Sequence, residues 1–269
     1  IMILTRTPFR VSFAGGGTDL PIFYKKNKFG KVISSTIKKY LYVMVKRQAP
    51  FVEYKYRINW SKTEFVNSID KIQNPIAREA LKYFKIDFPL EITTTSEIPA
   101  QTGLGSSSAF AVGLVNALYA IKGIKASKKM IAKTAAHIEI NMLKRFIGKQ
   151  DHYACAYGGL NIFTFHEDDR VTVKPLNNIN YNYLKNNLFL FFTFKQRDNH
   201  AGHTLKKQNL GSKINNESLL RSLKDVETCK KIIQKNKHLE GLGKILSESW
   251  KFKLKNLKNK TMNELNKTY

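Results

Sequence analysis

Gly103-Leu104-Gly105-Ser106-Ser107-Ser108 constrains this chain more than any other stretch. Ahead of it, Leu90 to Glu97 alternates in the manner of a strand. Behind it, Phe110, Ala111, Leu114, Val115 and Leu118 recur at helical spacing. A glycine- and serine-rich loop therefore joins a strand to the start of a helix. The first N–H groups of a helix lack partners inside it, and its dipole places partial positive charge there. Gly103 and Gly105 let the backbone close on an anion, and the serine hydroxyls can bind oxyanions or a metal. The same residues also suit an ordinary helix cap, which leaves phosphate binding and capping both open. No Gly-Lys-Ser/Thr follows, so this is not the common P-loop, and the glycine spacing is not that of a dinucleotide fold.

The 269 residues suffice for one large or two modest domains, and 42% hydrophobic content argues for a globular chain rather than disorder. A formal net charge of +26 raises the possibility of anionic partners. The lysines are scattered over most segments, so the charge reads mainly as compositional bias that anionic small molecules can exploit. No recognition helix, RNA-binding aromatic motif or zinc site supports nucleic acid as a partner. Cys155 and Cys229 stand far apart without a Cys-x-x-Cys, consistent with a reducing cytoplasm. Arg6 and Arg10 interrupt the first apolar run, unlike a signal peptide. The apolar runs 109–121 and 188–194 are too short to cross a bilayer, which takes about 20 residues.

Along the chain, strands are expected over Ile3–Ala14, Lys31–Arg47, Phe51–Trp60, Leu90–Glu97, Leu160–Phe165 and Leu188–Phe194. Helices are expected over Pro75–Phe84, from Phe110 onward, Lys128–Lys144 capped by Ser127, His200–Asn209, Glu217–Lys235 and Leu239–Leu257. The small residues Ala109, Gly113, Ala117 and Ala120 predict a buried helix that another element approaches closely. Asn177–Asn187 reads as a polar linker, and Lys149-Gln150-Asp151 as a loop.

Two further stretches join the loop. Pro8 to Asp19 runs as a strand into Gly15-Gly16-Gly17-Thr18-Asp19, and Glu139 on a helix precedes Gly148-Lys149-Gln150-Asp151. Singly, each has a plain explanation: a turn aspartate, a solvated glutamate, a capping aspartate. In this order they resemble the GHMP small-molecule kinases, and among them the sugar-kinase branch acting on heptose 7-phosphates. Arg6-Thr7-Pro8-Phe9-Arg10-Val11-Ser12-Phe13-Ala14-Gly15-Gly16-Gly17-Thr18-Asp19 is characteristic of that branch.

The resemblance implies an α+β, two-domain fold. Residues 1–180 would form a ribosomal-protein-S5-like ATP-binding domain, and 181–269 a ferredoxin-like domain left incomplete. It implies ATP and Mg²⁺, with a sugar phosphate as second substrate and no membrane partner. Gly103, Leu104, Gly105, Ser106, Ser107 and Ser108 would wrap the ATP phosphates. Ser107 and Glu139 would hold Mg²⁺, whose preference is for hard oxygen ligands. Asp151 would be the catalytic carboxylate, Arg10 would stabilise transition-state charge, and Asp19, Thr18 and Gly17 would contact the sugar. A distal phosphate would call for a basic side chain, with Arg145, Lys149 and Arg197 as candidates.

The chain departs from the family in three places. No glycine follows Gly243, so the family's third glycine-rich motif is missing and a fragment, a shortened product or a catalytically impaired member is expected. Thr193-Phe194-Lys195-Gln196-Arg197 replaces a Thr-Gly-x-x-Arg pattern, and His152 follows Asp151 where relatives have Gln. The resulting expectation is a sugar kinase acting at an anomeric hydroxyl, with a nucleotide-binding but non-catalytic relative as the alternative.

Overall fold

The computed structural model describes residues 1–49, 51–193 and 213–256. In chain order its elements are β1 (Met2–Ala14), α1 (Pro21–Tyr24), β2 (Phe29–Arg47), β3 (Tyr56–Asn59), β4 (Thr63–Val66), α2 (Pro75–Tyr83), β5 (Leu90–Ser96), α3 (Ser106–Ile121) and α4 (Lys128–Ala136). A π-helical turn, His137–Met142, follows. Then come α5 (Gln150–Tyr157), β6 (Leu160–His166), β7 (Val171–Pro175), α6 (Tyr181–Asn187), α7 (Lys213–Gln234) and α8 (Glu240–Asn256). The fold is a mixed α+β one, divided into two units. The first comprises residues 1–10, 36–100 and 104–158, and the second residues 11–35, 101–103 and 159 onward.

In the first unit, β5 lies between β2 and β3. It runs antiparallel to β2, with Val45 opposite Ile92, and parallel to β3, with Ile58 opposite Ile92. The inward residues of these strands alternate, as a half-buried sheet requires. They pack on α3, whose Ala109, Phe110, Ala111, Val112, Leu114, Val115, Ala117 and Leu118 are all buried. A helix apolar on nearly every side has to be interior, and α3 is. Thr5 of β1 donates to the Gly113 carbonyl at 3.0 Å, the close crossing that the small-residue stripe predicts. Helix α2 starts at Pro75, with Asn74 accepting from the Ala77 N–H at 3.0 Å. Ser127 caps α4 in the same way, through the Met130 N–H at 3.2 Å.

In the second unit, β6 pairs antiparallel with β2 residues 29–35 and with β7. Phe13, Ile33, Leu160, Ile162, Leu176 and Leu184 meet Val226, Cys229 and Ile233 of α7 and Leu242 of α8 in one apolar cluster.

Several expectations fail in this region and nearby. The polar stretch 177–187 is not wholly linker, because 181–187 is helical, capped by Asn180 and anchored by buried Leu184. Residues 188–193 form no strand, and Phe189 and Phe191 are 78% and 81% exposed. An uninterrupted apolar run carries no period of its own, so its strand character depended on a partner strand. Among the described residues, no strand follows β7. Within Phe51–Trp60 only Tyr56–Asn59 joins a ladder. The helix expected at His200–Asn209 lies outside the described residues, as does Arg197.

Candidate active site

Six of the predicted site residues, Arg10, Gly105, Ser107, Ser108, Glu139 and Asp151, and two that the sequence did not single out as partners, converge in the first unit. The loop enters α3 through Gly105, whose φ of +82° lies in the left-handed region that glycine tolerates best. A Cβ there would sit 3.3 Å from Asp151 Oδ2 and 3.4 Å from Arg10 Nε, so the small residue also leaves space beside that pair. No serine side chain caps α3. The hydroxyls of Ser107 and Ser108 donate instead to Glu139, at 2.6 Å to Oε1 and 3.0 Å to Oε2.

Glu139 is fully buried rather than on a solvated helix face. It lies on the π-helical turn His137–Met142, where the Leu143 N–H reaches back to the Ile138 carbonyl at 3.0 Å. Such a turn widens the helix, and π turns of this kind concentrate at functional sites. Arg145 Nη1 donates to Glu139 Oε1 at 2.5 Å and to Ser107 Oγ at 2.7 Å. His152 Nε2 lies 2.8 Å from Glu139 Oε2 and is itself fully buried. Burial pushes the Glu139 carboxyl upward, but the hydrogen bond from His152, its charge, the Ser107 hydroxyl and the Arg145 charge outweigh that and hold it at about 2. The group is therefore a carboxylate at neutral pH, and buried charge of this kind persists only when paired.

The second pair is Arg10 with Asp151. Arg10 Nε reaches Oδ1 at 2.7 Å and Nη2 reaches Oδ2 at 2.6 Å, a two-pronged fork. Asp151 was expected in a loop but occupies the first turn of α5, where the helix dipole favours a negative charge. Arg10 is fixed from β1, and its own N–H reaches the Leu104 carbonyl at 3.3 Å, tying the strand to the loop before α3.

Gly17, Thr18 and Asp19 belong to the second unit, as does Gly103 with φ +80°. Thr18 is fully buried. Its hydroxyl lies 2.7 Å from the Gly15 carbonyl and 2.8 Å from that of Lys31, and accepts from the Lys31 N–H at 3.0 Å. That hydroxyl ties the turn to β2. Asp19 is 2% exposed and accepts from the Gly17 N–H at 3.1 Å.

Sequence reasoning missed two partnerships. Arg145, a candidate for a distal phosphate, and His152, a departure from the family pattern, both meet Glu139. Arg145 lies six residues beyond Glu139 and His152 thirteen, spacings that match neither three- nor four-residue helical neighbours. The one signal was an acid flanked by Ile138 and Ile140, a charge embedded in an apolar run.

Comparison with known proteins fits this arrangement. The family described as GHMP kinases N terminal domain matches residues 71–159, a span holding Gly103–Ser108, Glu139 and Asp151. Residues 71–159 thus carry a GHMP kinase N-terminal domain. Over 265 residues it is 29% identical to the D-glycero-alpha-D-manno-heptose 7-phosphate kinase of Campylobacter jejuni, covering 93% of this chain and 77% of that one. It is 27% identical to the mevalonate kinase of Saccharolobus solfataricus over 170 residues, which cover 61% of this chain and 52% of the relative. A crystal structure of a D-glycero-D-manno-heptose 1-phosphate kinase from Bacteroides thetaiotaomicron superposes with a TM-score of 0.76 at 22% identity, covering 95% of this chain and 80% of that one. A mevalonate kinase structure gives 0.70 at 18% identity, with 94% and 79% covered. These superpositions establish the GHMP kinase fold across most of the chain. GHMP kinases are ATP-dependent phosphotransferases. Among the described residues, no helix is long and apolar enough to cross a membrane.

Proposed function

We propose that this chain transfers the γ-phosphoryl group of ATP to the anomeric hydroxyl of a heptose 7-phosphate or a closely similar sugar phosphate. The observation that carries this reading is the Arg10–Asp151 fork beside Gly105, on the loop whose Ser107 engages Glu139. The relative from Campylobacter jejuni supports the choice of sugar.

In this reading Gly103–Ser108 and the first turn of α3 cradle the ATP phosphates. Ser107 and ionised Glu139 offer hard oxygen donors of the kind Mg²⁺ takes, and the Arg145 guanidinium seated against both marks the position as one that attracts a cation. Bound there, Mg²⁺ would neutralise charge on the phosphate oxygens. Asp151, held in orientation by Arg10, accepts the hydrogen bond of the attacking hydroxyl and takes its proton as the new P–O bond forms. The bond from the γ-phosphorus to the bridging oxygen breaks, and ADP departs. Arg10 keeps positive charge beside the reacting oxygens as negative charge spreads over the phosphoryl group. Asp19 and Gly17, with Thr18 holding their turn, are assigned the sugar hydroxyls. Residues 1–180 are assigned to the ATP-binding domain.

The test is ATP-dependent phosphorylation of D-glycero-D-manno-heptose 7-phosphate, followed by phosphorus NMR for a new anomeric phosphate ester. Asp151→Asn should lower turnover about 10²–10⁴-fold while nucleotide still binds. Binding of ATP with no turnover by the unaltered chain would support the non-catalytic alternative instead.

A further inference from the structure

Arg145 has no role in the mechanism above, yet it holds the most contested position in the site. Its Nη1 lies 2.7 Å from Ser107 Oγ and 2.5 Å from Glu139 Oε1, the two groups assigned to the metal. Its backbone is tied to the same residue, with the Arg145 N–H donating to the Glu139 carbonyl at 3.1 Å. The preceding Lys144 takes φ +53°, uncommon for a residue with a side chain, and that turn delivers Arg145 back onto Glu139. The side chain is 31% exposed while Glu139 is fully buried. The guanidinium can therefore swing toward solvent on its flexible stem, whereas the carboxylate cannot follow.

We propose that Arg145 is a resident counter-cation that makes the Ser107–Glu139 site admit a divalent metal only together with nucleotide. This rests on the metal assignment made above for the same two residues. A guanidinium stays charged at any accessible pH, so the site always contains a cation. A divalent ion entering alone would evict Arg145 from its anion and leave two cationic centres close together in a poorly screened place. A metal arriving with nucleotide brings phosphate oxygens, to which a guanidinium binds at least as well as to a carboxylate. The exchange then conserves paired charge: metal for guanidinium on Glu139, phosphate for carboxylate on Arg145. His152 stays on Glu139 Oε2 throughout.

Mn²⁺ binding, read from the paramagnetic signal of the free ion, tests this with the full chain. The unaltered protein should bind Mn²⁺ weakly alone and far more tightly with ADP. Arg145→Met, which keeps an apolar stem and removes the charge, should tighten Mn²⁺ binding without nucleotide by at least about tenfold, or 1.4 kcal/mol. Glu139→Gln should abolish that gain. Equal Mn²⁺ affinity in the unaltered and Arg145→Met proteins, with ADP-dependent binding intact, overturns the role of Arg145 alone. Absence of bound Mn²⁺ in both, even with ADP, overturns the metal assignment and this proposal together. A second measurement needs no variant. The side-chain Nε–H resonance of Arg145 should move when Mg²⁺ and ADP are added together but not with Mg²⁺ alone, and an unmoved resonance overturns the exchange.

Discussion

The Glu139 cluster of the first unit and the Gly15–Asp19 turn of the second use polar groups in opposite ways. In the cluster, residues from α3, the π-helical turn, the loop after it and α5 bring two serines, an arginine and a histidine onto one buried carboxylate. Those partners are side chains, and side chains can change partners when phosphate or metal arrives. In the turn, the bonds run mostly to backbone. Thr18 bridges Gly15 and Lys31, Asp19 takes the Gly17 N–H, and the Gly15 N–H donates to Ser222 of α7 at 2.9 Å. Backbone groups have nowhere else to go. One region is held by side-chain partners and the other mostly by backbone groups, although both carry residues of the family's motifs.

If that contrast is right, substitution should divide the two regions by what is lost. Gly15 has φ +86°, and a Cβ there would fall 1.9 Å from the Lys31 carbonyl oxygen. Gly15→Ala therefore should cost more than about 3 kcal/mol and strip the protein of its melting transition or lower it steeply. Gly105→Ala meets only ordinary-to-tight contacts, at 3.3 Å from Asp151 Oδ2. It should cost about 1–2 kcal/mol in stability through its positive φ while lowering turnover out of proportion. Equal damage to stability from the two would erase the distinction.

Acid separates the regions next. Glu139 titrates at about 2 when folded against an ordinary 4.5. A depressed carboxyl stabilises the fold fully above its unfolded value, and that contribution disappears as pH falls from about 4.5 toward 2. The loss should be on the order of 3 kcal/mol, read as a falling midpoint in urea titrations across that range. Glu139→Gln should flatten that dependence even if it is less stable at neutral pH. The smallest effect belongs to Thr18→Val, which removes the hydroxyl that knits the turn. It should cost about 1 kcal/mol with no change in the acid profile.

Much of the first unit was legible in the sequence because its local signals agree. Strand β1, the Asn74–Pro75 start of α2, the Ser127 cap and the alternation of β5 each carry short-range chemistry that the tertiary structure reinforces. The second unit was less legible past residue 176. Leu188–Thr193 has apolar composition without periodicity, and among the described residues no strand follows β7 to pair with it. The candidate residues Ser107, Glu139, Arg10 and Asp151 were named from motif order. Their connections were not, since no spacing rule links residue 10 to 151 or 107 to 139.

By itself, the sequence determined the loop–helix junction at Gly103–Ser108, the apolar burial of α3 and the order of the family's motifs. Those depend on backbone freedom at glycine and on residues a few positions apart, which any reading of the chain can see. Only the tertiary structure decided that the serines serve Glu139 rather than the helix cap, that Glu139 is buried, and that Arg145 is its partner. A buried charge takes whatever counter-charge the fold brings within about 3 Å, and that choice is made by packing, not by position in the chain.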